Sequence, residues 1–266
     1  MSFNFKQKYG GWALVTGATS GIGEQMAQQL AEDGMNIVLV ARREQELKEY
    51  AQTLASQYSV ETDVIVAELS TQDGVDKIKA TEHDIGLIAL SAGLETNGAF
   101  EKLDLDAERR LLHVDVNSVM ELSHHFSNTM IARGKGGILL VASMFGQMAS
   151  PYFSTYAGSK SFVINFGQSL YAELKSKGVD VSVLSPGLTK TPMAVSTGVN
   201  WKKVPMAARA PEKVAKVGLQ GVGKRVLTVP GLRNNIMAFM ADLTPRKIMA
   251  LSMQKILNGA LDAKRL

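Results

Sequence analysis

An α/β chain, built as a doubly wound parallel sheet of about seven strands with helices on both faces, is predicted by two observations. Short apolar runs of strand length alternate with helix-length segments along most of the sequence. The first run leads directly into a glycine-rich turn and then a helical pattern, as a right-handed parallel crossover requires.

Trp12–Thr16 (WALVT) is the first apolar run and reads as a buried strand. Gly17-Ala18-Thr19-Ser20-Gly21-Ile22-Gly23 follows, then a helix through Met26, Ala27 and Leu30 that ends at Asp33-Gly34. Asn36–Ala41 (NIVLVA) is the second strand. The cycle repeats with a helix at 43–57, a strand at 63–67, a helix from 71 and a strand at Ile85–Leu90. A long helix is predicted over 104–132, with Leu103, Leu111, Val114, Ser118 and Leu122 near helical spacing. Next come a strand at 137–143, a helix across 155–177 and a strand at 179–185. Residues 188–210 read as a loop with short helical pieces, and Pro211 opens a further helix. A last strand is expected at 225–229, followed by an apolar and basic tail over 232–266 that Pro245 interrupts. No linker or low-complexity tract divides the chain, so residues 1–266 are expected to form one domain.

Composition narrows the chemistry. The 266 residues are 45% apolar and 20% charged, which excludes intrinsic disorder. The 29 basic and 25 acidic residues leave a net charge of +4, but the basic residues are scattered, so no nucleic-acid partner is expected. There is no cysteine, which excludes disulfides, thiolate metal sites and a cysteine nucleophile. The four histidines, His83, His113, His124 and His125, show no metal-binding spacing, so no metal is expected. Residues 1–11 lack the apolar core of a secretory signal, and no run is long enough to span a bilayer. A cytoplasmic, soluble protein is expected.

The turn Gly17-x-x-x-Gly21-x-Gly23 sits between a strand and a helix. Three such glycines also suit a purely structural tight turn. In this context they allow a tight reversal, close approach of a pyrophosphate and close helix–strand packing. The helix start adds free N–H groups and positive potential. The second strand ends in Val40-Ala41-Arg42-Arg43, with no acid until Glu44. An acid there would bind a ribose 2′-hydroxyl, whereas a guanidinium suits a 2′-phosphate. The bland reading has both arginines solvating a helix start, where cations oppose the helix dipole. NADP(H) is therefore expected rather than NAD(H), with Arg42 the main contact, Arg43 secondary, and Thr19 and Ser20 assisting.

Ser143 ends the fifth strand, and Tyr156-Ala-Gly-Ser-Lys160 follows 13 residues later. Tyrosine and lysine at i,i+4 share one helix face. A tyrosine near pKa 10 is a poor base, and an ammonium one turn away, helped by a positive nicotinamide ring, would favour its phenolate. The serine hydroxyl could hold a substrate oxygen beside the phenol. The same spacing also suits a surface Tyr–Lys pair; the serine at a strand end opposite the glycine turn argues for a site.

With these residues in hand, the sequence resembles the short-chain dehydrogenases/reductases of the simple, roughly 250-residue kind, which share a Rossmann-like sheet. The resemblance runs from about Trp12 to Met193. It rests on TGATSGIG at 16–23, SAG at 91–93, Asn117, Ser143, YAGSK at 156–160, and Pro186-Gly187 followed by Thr189 and Thr191. It implies that Tyr156 is the general acid for carbonyl reduction, that Lys160 binds the nicotinamide ribose and lowers the tyrosine pKa, and that Ser143 orients the carbonyl. It gives Asn117 the task of holding a water that links Lys160 to solvent. Ser91, Ala92 and Gly93 would border the cofactor; Pro186, Gly187, Leu188, Thr189 and Thr191 would contact its carboxamide and diphosphate. Glu68 and Leu69 stand where the family has an Asp beside the adenine. Two departures are Ser91 in place of an asparagine and Glu68 in place of that aspartate; neither removes a catalytic group.

The substrate end is expected to be lined by Leu94, Ser143, Phe145, Met148 and Met193, together with residues of the 194–210 loop. Their apolar character favours a hydrophobic ketone or aldehyde. Met144, Tyr152 and Glu95 are further candidates; Glu95 is the polar exception, with a solvent-facing position as its alternative. The resemblance implies a homodimer or homotetramer through the helices at 104–132 and 155–177. For the tail, packing on the body or across a subunit interface is expected first, a lid second and membrane contact third. Two other functions compete: reduction of 3-oxoacyl thioesters on a carrier protein, with Lys202, Lys203 and Arg209 facing the carrier, and a non-catalytic dinucleotide-binding regulator.

Overall fold

The computed structural model describes residues 4–262 and 265. Seven parallel strands form one sheet: β1 (Trp12–Thr16), β2 (Asn36–Ala41), β3 (Thr62–Val66), β4 (Ile85–Leu90), β5 (Gly136–Val141), β6 (Val179–Leu184) and β7 (Leu227–Thr228). Their spatial order is β3-β2-β1-β4-β5-β6-β7. The central strands β4 (IGLIAL) and β5 (GGILLV) are buried at every position, because helices cover the sheet on both sides. The edge strand β3 alternates between more and less exposed residues instead.

On one face lie α2 (Gly21–Glu32), α3 (Glu44–Tyr58) and α9 (Pro211–Gly221), which contribute Leu30, Leu47, Leu54 and Leu219 to a common core. The other face is covered by α4 (Gln72–Lys79), α6 (Ser118–Arg133) and α7 (Ser154–Lys175), through Ile78, Leu122, Phe126 and Val163. The chain reverses direction across the sheet between β3 and β4, so β1 and β4 are neighbours from opposite halves. A crevice opens beyond their carboxyl ends at that switch.

Three features depart from the sequence expectations. A short helix, α1 (Phe5–Tyr9), precedes β1; its buried Phe5 and Tyr9 join the core, and the Tyr9 hydroxyl donates to Asp180 at 2.8 Å. The helix expected over 104–132 is broken into α5 (Leu105–Leu112), a π-type turn at His113–Asn117, and α6. The tail forms two helices, α10 (Leu232–Leu243) and α11 (Arg246–Ala260), separated at Pro245, which cannot continue a helix. Short α8 (Pro192–Ser196) starts at Pro192, capped by the Thr191 hydroxyl. A third apolar cluster, beyond the sheet, joins Phe145, Phe153, Met206, Met253 and Leu257 with Trp201 packed against them.

Candidate active site

The glycine turn is shaped by backbone geometry. Gly17 and Gly21 have φ of +69° and +65°, a region that side chains disfavour. A Cβ on Gly17 would lie 3.0 Å from the Ala92 backbone, and one on Gly23 would lie 2.4 Å from the Gly17 carbonyl oxygen. The turn thus lies flat against residues 91–93, and α2 starts directly under it. Thr16 ties the two strand ends together: its hydroxyl accepts the N–H of Ser91 at 3.0 Å and of Ala92 at 3.1 Å. No side chain caps the first turn of α2, so its N–H groups are available to an anion.

Both arginines stand at the rim of this turn with more than half of their side chains exposed. Arg43 donates to the Thr19 carbonyl at 3.2 Å and to the Thr19 hydroxyl at 2.8 Å, bridging the end of β2 to the glycine turn. Arg42 donates to Glu68 at 3.2 Å, and Glu68 accepts the Ser70 N–H at 3.1 Å. Leu69 turns its side chain into the core beneath.

A cleft of about 200 Å³ runs from the glycine turn across the carboxyl ends of the strands. Ser20, Gly21 and Ile22 form one end, and Ser91, Ala92 and Gly93 the floor. The segment after β6, with Pro186, Gly187, Leu188, Thr189 and Thr191, closes the side. Ser143, Tyr156 and Lys160 meet on the remaining wall, with Phe145 and Met193 beyond them. A nicotinamide dinucleotide fits this shape: glycines where a Cβ would intrude, a helix N-terminus for a diphosphate, and exposed guanidinium groups at the ribose end.

The side chains expected to be catalytic come from the turn after β5 and from α7. Ser143 begins a 3-10 turn at Met144–Gln147, and its hydroxyl accepts the Phe145 N–H at 3.2 Å. That turn packs on α7 so closely that a Cβ on Gly146 would lie 2.5 Å from the Lys160 carbonyl carbon. The Ser143 hydroxyl is close enough to the Tyr156 phenol to pull its pKa down. The Lys160 ammonium lies 5.7 Å from the centroid of the Tyr156 ring and donates to the Val141 carbonyl at 3.3 Å. Burial pushes the Tyr156 phenol above its ordinary range, and the Glu95 carboxylate adds to this; the Ser143 hydroxyl opposes it. In the protein alone, burial thus favours the protonated phenol.

The residue beside Lys160 is Asp115, not Asn117. Asp115 Oδ2 lies 3.0 Å from Lys160 Nζ, its Oδ1 accepts the Leu94 N–H at 2.8 Å, and the carboxylate is fully buried. Burial pushes the Asp115 carboxyl up, against the downward pull of the Lys160 ammonium. Asn117 is exposed and makes no approach to the cleft, so it cannot hold a water for Lys160. The signal for Asp115 was present in the helical spacing: position 115 lies four residues after Leu111 and three before Ser118, on their buried face. Position 117 does not share that face.

Four expected substrate residues also lie elsewhere. Leu94, Met144, Met148 and Tyr152 pack in the apolar clusters rather than lining the cleft. Glu95 lines it, with Trp201 and Met206 from the 194–210 loop. Glu95 does not face open solvent; burial pushes its carboxyl up to about 7, while Asn97 and Arg265 pull the other way.

The family profile of the short chain dehydrogenases matches residues 11–200. A 7beta-hydroxysteroid dehydrogenase of Mediterraneibacter gnavus is 32% identical over 234 residues, covering 86% of this chain and 89% of that protein. A very-long-chain 3-oxoacyl-CoA reductase of Rattus norvegicus is 32% identical over 247 residues, covering 91% of this chain and 78% of the relative. A solved structure of a 7beta-hydroxysteroid dehydrogenase superposes with a TM-score of 0.86 at 27% identity, over 94% of this chain and 99% of that one. A parallel seven-stranded sheet, a glycine turn at its switch point and family-wide similarity over most of the length converge on one conclusion: the chain belongs to the short-chain dehydrogenase/reductase family of oxidoreductases.

Proposed function

We propose that the protein is an NADP(H)-dependent reductase of hydrophobic ketones or aldehydes, using Ser143, Tyr156 and Lys160 for orientation and proton transfer. The observation that carries this reading is the meeting of those three side chains on the wall of a cleft whose other end is the glycine turn. The turn and the N-terminus of α2 would hold the diphosphate, Arg42 with Arg43, Thr19 and Ser20 the 2′-phosphate, and Glu68 and Leu69 the adenine. Lys160 would bind the nicotinamide ribose, and the segment from Pro186 to Thr191 the carboxamide side. When bound, the nicotinamide dinucleotide supplies the hydride that the carbonyl carbon accepts.

The protein's own residues do the rest. The Ser143 hydroxyl donates to the carbonyl oxygen and fixes it beside Tyr156. The Tyr156 phenol, kept protonated by burial, is a proton donor at neutral pH, which suits the reductive direction. Phe145, Met193, Trp201 and Met206 exclude water and favour an apolar substrate body. Bulky fused-ring ketones are a natural first class to test, given the hydroxysteroid dehydrogenase among the relatives. A second reading, reduction of a 3-oxoacyl thioester, draws on the 3-oxoacyl-CoA reductase among the relatives and on exposed Lys202 and Lys203 beside Trp201.

The test is nicotinamide absorbance with both cofactors over a panel of ketosteroids, simple bulky ketones and 3-oxoacyl thioesters. Ketone turnover that Tyr156→Phe abolishes, with cofactor binding kept, supports the reading. Preference for thioesters favours the second, and turnover retained in Tyr156→Phe overturns the proton-donor role. Arg42→Ala is expected to weaken NADPH binding about tenfold or more, with little effect on NADH. For assembly we propose a homodimer or homotetramer through α5–α6 and α7, on which Leu112 and Met120 are exposed and Phe162 stacks on Phe166. Sedimentation velocity reads that state directly.

A further inference from the structure

We propose that Glu95 is a proton relay that restores Tyr156 after each reduction, drawing on water in a second cavity behind the active-site cleft. The proposal rests on the carbonyl-reductase reading above.

Three observations lead to it. First, the lysine side of the site is occupied by protein contacts. Lys160 Nζ is engaged by Asp115 at 3.0 Å and by the Val141 carbonyl at 3.3 Å. Asp115 in turn accepts the Leu94 N–H and, at 3.4 Å, the Ser159 hydroxyl, and is wholly buried.

Second, Glu95 lines two cavities at once. One is the cleft that holds Tyr156; the other, of about 360 Å³, lies between the loop after β4, α5 and the end of α8. Glu95 and Tyr156 both line the cleft, and the Glu95 carboxylate raises the Tyr156 phenol.

Third, two polar residues of the second cavity lack hydrogen-bond partners. Both carboxylate oxygens of Glu108, a residue only 4% exposed, and the Thr96 hydroxyl are buried without a hydrogen bond among the described residues. Such groups call for water, since burying them dry costs free energy. Arg265 closes one side, donating to Asn97 at 2.6 Å. The charged and titratable groups around Glu95 are therefore Tyr156 and Lys160 from α7, Asp115 from the π turn, Arg265 from the chain end, and Asp104 and Glu108 across the cavity.

The step balances without a further reagent. The Tyr156 O–H bond breaks as its proton passes to the substrate oxygen, which becomes the alcohol. The Glu95 carboxyl O–H then breaks and its proton forms a new bond to the phenolate oxygen. Water in the second cavity reprotonates the Glu95 carboxylate, releasing the matching hydroxide, which buffer neutralises. With its carboxyl raised to about 7, Glu95 is protonated in a substantial fraction at neutral pH.

The experiment measures kcat and KM for ketone reduction against pH, in H2O and D2O, for the full chain, Glu95→Gln and Glu108→Gln. The relay predicts that wild-type kcat falls as pH rises through about 7 and that Glu95→Gln loses this limb. It also predicts that kcat of Glu95→Gln drops about tenfold or more with KM kept within about twofold, and that acetate or imidazole partly restores it. Glu108→Gln, which leaves Glu95 in place, is expected to slow turnover less and to enlarge the solvent isotope effect. A raised KM with kcat kept would make Glu95 a substrate contact and overturn the relay, as would an unchanged pH profile or the absence of rescue. A wild-type protein without carbonyl turnover would instead refute the reductase reading, so the two failures are distinct.

Discussion

At the level of single residues, the Asp115–Lys160 pair sets the electrostatics of the site. Its side chains are 0% and 7% exposed, so neither charge is compensated by solvent if the other is removed. Loss of one partner from a buried pair is strongly destabilising, and Asp115→Ala is expected to cost about 3 kcal/mol in urea unfolding. Asp115→Asn keeps an acceptor for the Leu94 N–H and a neutral hydrogen bond to lysine, and should cost about 1 kcal/mol. Equal losses in the two variants would refute the ion-pair account. Glu95 gives a pH dependence of opposite character to a salt-bridged acid. Its folded pKa is raised from 4.5 to about 7, so the neutral form is favoured by folding. Its relative contribution is fully present below the unfolded pKa and is lost as pH rises through about 7. Unfolding midpoints between pH 5 and 8 should therefore decline less steeply in Glu95→Gln than in the wild type.

Among the elements, the 3-10 turn after β5 and the π turn before α6 place Ser143 and Asp115 beside Tyr156 and Lys160 of α7. Gly146 lets the first lie directly on α7; a Cβ there would come within 2.7 Å of the Lys160 oxygen and the Ser161 nitrogen as well. Gly146→Ala must separate Ser143 from Tyr156 and Lys160. It is expected to cost about 1–3 kcal/mol of stability, as overpacking does, and to lower kcat more than it raises KM. Thermal unfolding and initial rates on one preparation check both. Strand positions were legible because buried parallel strands are continuous apolar runs: the sequence reading of β1, β2 and β4 coincides with the structure, and β3, β5 and β6 differ by one or two residues at their ends. The π turn was not legible, because an apolar stripe at helical spacing looks alike whether or not one turn is widened. Reading Asn117 from motif resemblance overlooked that stripe, on which Asp115 stands.

For the whole molecule, the tail completes the site from a distance. Leu257 of α11 is fully buried in the cluster that also holds Phe145 and Trp201, two cleft-lining residues. Leu257→Ala is expected to cost about 3 kcal/mol and to raise KM by loosening that wall, without moving the cofactor affinity. A lowered cofactor affinity would place the effect elsewhere. Opposite faces of α10 and α11 expose Leu232, Phe239, Leu243 and Leu251, so these helices are packed on one side only. Among the described residues, no helix is long and apolar enough to cross a membrane. The strand–helix alternation, the glycine turn, the two arginines and the Ser143–Tyr156–Lys160 set could all be read from the chain, because local backbone and spacing rules govern them. The partners of those residues could not. Asp115 against Lys160, Glu95 between two cavities, and Trp201 and Leu257 behind Phe145 join segments distant in sequence, and only packing decides which distant side chains share a low-dielectric space.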